Sequence, residues 1–197
     1  TSKIKITNFD SLEKIDLTNI DIIIDSSGKK EDINILKSLP VSAIFLTHPN
    51  NEADINVILG VNEKDLNPNI HKIISTSSCN ATALLPALKL INDKKEILCG
   101  DILTVHPLLN HQRVLDGSFV KSDTRDVNCN FEFGRSSTQN IIPNKTTTIK
   151  ACSFVLPNIN QNLISSSSLR VPTDTVGAIN VSLFTKEKST KNEIIEL

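Results

Sequence analysis

Residues 71–117 read HKIISTSSCNATALLPALKLINDKKEILCGDILTVHPLLNHQRVLDG. The order of segments in this stretch, apolar strand, Ser-Cys, helix, long strand, Thr-Val-His, decides the reading of the whole chain. His71 to Ser75 is apolar and β-branched at its centre, as a buried strand would be. Thr76, Ser77 and Ser78 can offer cap oxygens to the orphan amides of a following helix. From Asn80 to Asp93, Ala81, Leu84, Leu85, Leu88 and Ile91 recur at helical spacing, and Pro86 inside that run predicts a local kink. Ile97 to His106 reads as a long strand on which Ile102, Thr104 and His106 share a face. Cys79 thus stands at a helix start and His106 at a strand end. Thiolate is the reactive form of cysteine, and a helix N-terminus and an imidazole both favour it. A lone cysteine is more often a small buried hydrophobe, so spacing alone leaves both readings open.

Working outward, Ile22-Ile23-Ile24 reads as a buried parallel strand that runs into Asp25-Ser26-Ser27-Gly28. Glu31 to Leu39 has a helical pattern, and Ala43 to Leu46 is a second strand ending at Thr47. This first part is an α/β half-domain. Downstream, Gly117 to Gln139 is polar and irregular, as functional or mobile loops are. Thr146 to Leu156 reads as a helix, and Cys152 within it as core. Ser165 to Arg170 and Ala178 to Phe184 alternate as strands, Lys186 to Lys191 is a charged turn, and Asn192 to Leu197 starts a helix. The fold class is therefore α/β plus α+β, divided at Ser77/Ser78 into residues 1–77 and 78–197.

Composition narrows the function. A chain of 197 residues with 39% hydrophobic content can bury a core. Its net charge of −1 gives no electrostatic case for nucleic-acid or membrane binding. Cys79, Cys99, Cys129 and Cys152 form no C-x-x-C pair, which argues against a zinc site and for a reducing, cytoplasmic setting. No apolar run is long enough to span a bilayer, and no signal peptide is evident. None of the six glycines is separated from another by one residue, so there is no G-x-G-x-x-G turn for a dinucleotide pyrophosphate.

The blocks in this chain resemble the glyceraldehyde-3-phosphate dehydrogenase family. The residues that carry the resemblance are Gly60-Val61-Asn62, Ser78-Cys79, Ile91-Asn92-Asp93, Thr104-Val105-His106, Asp116-Gly117, Asn140-Ile141-Ile142-Pro143 and Arg170-Val171-Pro172-Thr173, all in order. The resemblance implies the C-terminal half of a Rossmann-like nucleotide domain (1–77) followed by a mixed-sheet catalytic domain (78–197). The chain looks like the middle portion of such an enzyme, lacking both termini. The implied reaction is phosphorylating, NAD- or NADP-dependent oxidation of a phosphorylated aldehyde. Cys79 would be the nucleophile and His106 the base. Ser78, Asn80, Thr146 and Thr147 would line the attacking-phosphate region, and Arg170 would supply fixed positive charge to a phosphate. Ser27, Gly28 and Thr47 would lie beside the cofactor. The implied partners are the phospho-aldehyde, inorganic phosphate and, at full length, copies of the same chain in a homo-oligomer.

Four positions depart from the family pattern. Asn80 stands for a threonine and can still donate to phosphate. Leu109 stands for a threonine and cannot donate. His111 stands for a second threonine of that loop, and Thr147 for a glycine that lets a backbone amide approach phosphate. The substrate's phosphate site is thus expected to be altered. Two other readings stay open: a cysteine hydrolase that uses Cys79 and His106 without a nicotinamide, and a catalytically dead remnant that serves as an interaction module. With no adenosine anchor, this chain by itself is expected to have little or no activity.

Overall fold

The computed structural model describes residues 12–27, 31–110, 112–117, 134–146 and 148–197. His111, Gly28 and Thr147 fall outside that set, as does most of the polar stretch after Gly117.

The first sheet holds β1 (Ile22–Asp25), β2 (Ala43–Leu46), β3 (Ile55–Asn56) and β4 (Ile73–Ser75) in the order β1-β2-β4-β3, every pair parallel. Parallel neighbours need crossovers. α1 (Ile33–Ser38) supplies the one between β1 and β2, and Asp32 caps it by accepting from the Asn34 amide at 2.8 Å. Ile33 and Leu36 of α1 pack on Ile44, Leu46 and Ile73 to make the first core. β1 corrects one expectation. It is a parallel strand, but Ile22 and Ile24 are 54% and 69% exposed rather than buried. Among the described residues it lies at the sheet edge, with a neighbour on one side only.

The second sheet holds β5 (Ile97–Pro107), β6 (Ile142–Asn144), β7 (Ile164–Val171) and β8 (Ala178–Thr185) in the order β6-β7-β5-β8. β5 runs parallel to β7 and antiparallel to β8, and β6 is antiparallel to β7, so the sheet is mixed. The serine run Ser165 to Ser168 sits in β7, an interior strand. Two helices cover one face: α2 (Cys79–Lys95) and α3 (Thr148–Val155). α2 continues unbroken through Pro86. The apolar stripe read from the sequence does bury: Ala81, Leu84, Leu85 and Leu88 meet Ile102, Ile164 and the α3 residues Ile149, Cys152 and Val155. Gly100 permits the close approach of β5 to β8, because a Cβ there would lie 2.6 Å from the Ser182 carbonyl oxygen. α4 (Lys191–Ile195) closes the described chain behind a Thr190/Glu193 capping box. No helix among the described residues is long and apolar enough to cross a membrane.

Cys152, fully buried, gives a pH prediction. Burial pushes its thiol from 9.0 up to about 11. Unfolded chains lose that proton near pH 9 while the folded protein keeps it, so stability falls as pH rises through this interval. Urea unfolding at pH 8 and pH 11 is expected to show an alkaline loss of about 2 kcal/mol that Cys152→Ala removes. An identical alkaline loss in wild type and variant would contradict it.

Candidate active site

α2 begins where β4 ends, and this junction presents Cys79. Ser77 adopts φ +65°, a left-handed conformation uncommon for a side-chain-bearing residue. Ser78 is extended (φ −130°, ψ 160°) and its carbonyl accepts from the Thr82 amide at 2.8 Å, which starts the helix. The expected hydroxyl cap is not formed. Ser78 makes no side-chain cap bond, and the Thr76 hydroxyl is committed to the Leu46 carbonyl at 3.1 Å. Cys79 is therefore the first helical residue, exposed, with an amide that has no acceptor within the helix.

His106 comes from the other sheet. β5 carries Ile102 and Thr104 into the core on the same face, at 0% and 1% exposure, and its end delivers the imidazole to Cys79. Cys79 Sγ and His106 Nε2 lie 3.7 Å apart. His106 Nδ1 is 2.7 Å from the Pro107 carbonyl oxygen. A carbonyl only accepts, so Nδ1 carries the proton and the Nε2 lone pair faces the sulfur.

Arg170 stands beside His106 on the neighbouring strand, its register partner in β7, and therefore on the same face. Its Nη1 is buried with no hydrogen-bond partner. Burial lowers the guanidinium below its ordinary value, while the nearby Cys79 sulfur pulls in the opposite direction. A guanidinium nitrogen is a donor only, so this one can still give a hydrogen bond.

The remaining candidates divide. Asn80 follows Cys79 in the first turn of α2, half-buried. Thr146 precedes α3, and its Oγ1 is 2.7 Å from Thr148 Oγ1 and accepts from the Thr148 amide at 3.2 Å. Leu109 lies just beyond β5 in a loop closed by Gln112, whose Oε1 accepts from the Leu109 amide at 2.7 Å. Ser27 and Thr47 lie at the carboxyl ends of β1 and β2. The Ser27 amide donates to Asp25 Oδ1 at 2.9 Å and the Thr47 hydroxyl to the Asp25 carbonyl at 3.1 Å. Between those two, sequence reasoning missed Asp25 and His48. Asp25 Oδ2 and His48 Nδ1 are buried and unpartnered at that same sheet end. A histidine directly after Thr47 was visible in the sequence; the burial of its Nδ1 was not.

The comparisons give the family of the chain. Residues 78–197 match the family described as glyceraldehyde 3-phosphate dehydrogenase, C-terminal domain. Among curated relatives, glyceraldehyde-3-phosphate dehydrogenase 2 of Streptomyces avermitilis is 32% identical over 179 residues, 89% of this chain and 50% of the relative. Glyceraldehyde-3-phosphate dehydrogenase 1 of Bacillus subtilis is 32% identical over 178 residues, with the same shares. The second such enzyme of Trichormus variabilis is 33% identical over 180 residues, again 89% and 50%. The chain spans about half the length of the curated relatives it matches. The matched region begins at Ser78, one residue before the helix that carries the thiol, and takes in the whole of the mixed sheet: the chain belongs to the glyceraldehyde-3-phosphate dehydrogenase family.

Proposed function

We propose that this chain carries the thiol centre of a phosphorylating, NAD(P)-dependent aldehyde dehydrogenase acting on a phosphorylated aldehyde. In this reading residues 1–77 are the C-terminal half of a Rossmann-like nucleotide domain and 78–197 part of the catalytic domain. The observation that carries it is the 3.7 Å approach of Cys79 Sγ to His106 Nε2, with Arg170 in register beside them.

The chemistry follows from those groups. His106 Nε2 takes the thiol proton, and the sulfur attacks the aldehyde carbon. A carbon–sulfur bond forms, the carbonyl π pair moves to oxygen, the imidazolium returns its proton to that oxygen, and a thiohemiacetal results. The free amide of Cys79 can donate to the oxygen as charge builds on it. A nicotinamide would supply the hydride acceptor that oxidation of the thiohemiacetal to a thioester needs. As the hydride leaves, His106 Nε2 takes the hydroxyl proton. Phosphate oxygen then attacks the thioester carbon, and the carbon–sulfur bond breaks to give an acyl phosphate and the original sulfur. Arg170 is the group suited to hold a phosphate close to that carbon.

The residues present fit the nicotinamide end of such a cofactor. Asp25 Oδ2 and His48 Nδ1 are orphaned at the carboxyl ends of adjacent parallel strands, the end at which open parallel sheets take ligands. Asp25, His48, Ser27 and Thr47 are the residues that would hold it. The substrate is a proposal of the same standing, and Leu109 argues for a phosphate site different from the usual one. Cytoplasmic residence and homo-oligomer formation go with this reading.

An acyl phosphate probe tests the proposal without a nicotinamide. Acetyl phosphate is expected to add one acetyl group to the Cys79 peptide, seen by mass spectrometry, and inorganic phosphate to discharge it. Cys79→Ser abolishes the adduct. Discharge by water alone, indifferent to phosphate, would make the protein a cysteine hydrolase instead, and no adduct at all would make it a non-catalytic module.

A further inference from the structure

The turn between β4 and α2 is held by the Ser75 hydroxyl and by the Thr76 amide, whose bond the Thr76 hydroxyl only duplicates. Ser75, the last residue of β4, is fully buried. Its Oγ donates to the His48 carbonyl at 2.9 Å and accepts from the Ser77 amide at 3.2 Å. Thr76 places both its amide and its hydroxyl on the Leu46 carbonyl, at 2.9 and 3.1 Å. The loop after β2 thereby grips the turn that leads to Cys79. Ser77, 2% exposed, is in the left-handed region that disfavours a side-chain-bearing residue, so something must hold it there. The Ser75 hydroxyl is bonded to its amide.

We propose that Ser75 is a positioning residue for Cys79: its hydroxyl locks Ser77 in the left-handed turn, and so fixes where α2 begins and how the sulfur meets His106. The inference rests on the reading of Cys79 as nucleophile. Cys79 is delivered from the end of β4 in one sheet, and His106 from β5 in the other. Their approach therefore depends on the pivot between them, which is the three-residue segment Ser75-Thr76-Ser77. If the Ser77 peptide turns over, the first turn of α2 shifts, and a shift of about 1 Å is enough to uncouple a reacting pair. The groups that face the sulfur are His106 from β5 and Arg170 from β7. His106 Nδ1 and Nε2 pair with Pro107 and Cys79 and not with the turn, so a change at Ser75 reaches the sulfur through the backbone.

The experiment follows iodoacetamide alkylation of the Cys79 peptide by mass spectrometry across pH. Ser75→Ala is expected to slow alkylation about tenfold at neutral pH and to change the pH–rate profile. Ser75→Thr, which keeps the hydroxyl, restores most of the rate. Thr76→Ala stays at the wild-type rate, because the Leu46 carbonyl keeps its bond from the Thr76 amide. In a His106→Asn background Ser75→Ala has no further effect. A Ser75→Ala protein with a lowered melting temperature and an unchanged Cys79 profile overturns the inference and leaves the proposed function standing. A wild-type Cys79 no faster than a short thiol peptide overturns both. Should Ser75→Ala fail to fold, hydrogen exchange on the wild-type protein decides. A slowly exchanging Ser77 amide supports the inference, and exchange at the free-peptide rate ends it.

Discussion

Replacing His106 by asparagine is expected to slow iodoacetamide alkylation of Cys79 at pH 7 by at least about tenfold, with little change in melting temperature. The sulfur is exposed, so access is not what limits its reaction. What the imidazole adds is a proton acceptor: with Nδ1–H directed at the Pro107 carbonyl, Nε2 presents its lone pair 3.7 Å from Sγ. Asparagine keeps much of the polarity and bulk but cannot take a proton at neutral pH. Arg170 remains in the variant and still favours negative charge on the sulfur, so a residual rate above that of a free peptide thiol is expected. In the proposed reaction the same substitution would cost on the order of 10² to 10⁴, the usual worth of a general base. Unchanged alkylation kinetics in His106→Asn would remove the imidazole from the mechanism and favour the non-catalytic reading.

The largest stability effect is expected at Leu88. It is 0% exposed on the inner face of α2, within the cluster that joins Leu84 and Leu85 to Ile102, Cys152 and Ile164. Leu88→Ala removes three buried carbons from a site walled by a helix and a sheet, which limits how far the core can close over the cavity. A loss of about 3–4 kcal/mol is expected, read as a fall in the urea midpoint. That is a large part of the net stability of an ordinary domain. Because α2 also carries Cys79 at its first turn, the variant should lose thiol reactivity in step with its folded fraction. A loss below about 1 kcal/mol would mean that this helix is not packed as described.

Stability and chemistry are thus tied to one element. The residues of α2 that bury, Ala81, Leu84, Leu85 and Leu88, fix its rotation about its axis. That rotation leaves Cys79 outside the core and turned toward the end of β5. Cys152, one layer away on α3, has the opposite fate. Surrounded by hydrocarbon, its thiol is pushed up to about 11 and made inert. The same side chain is exposed beside an imidazole in one place and sealed in hydrocarbon in the other.

Much of this was legible in the chain itself. The helix after Ser78 shows in the spacing of its leucines, and the strand that ends at His106 in its β-branched run. Pattern at a period of 3.6 or 2 depends on neighbouring residues, so it can be read locally. The burial of Ile22 and Ile24 was misread, because three consecutive isoleucines look the same in an interior strand and at a sheet edge. Only the strand order, with β1 outermost among the described residues, separates the two. The hydroxyl cap from Ser78 was also misread: a serine before a helix often caps it, but here the turn is held by Ser75 and Thr76 gripping the loop after β2.

The sequence by itself determined most of the elements and the buried face of α2, and it offered Cys79 and His106 as candidates for nucleophile and base, because residue type and short-range spacing carry that much. Tertiary structure alone decided that the two would meet. Cys79 and His106 are 27 positions apart on different sheets, and Arg170 reaches the same face only through the parallel register of β5 with β7. It also decided which polar atoms stay unpaired, Asp25 Oδ2, His48 Nδ1 and Arg170 Nη1. Partnership in a hydrogen bond is a matter of what lies within about 3 Å in space, and no local pattern in a chain encodes that distance.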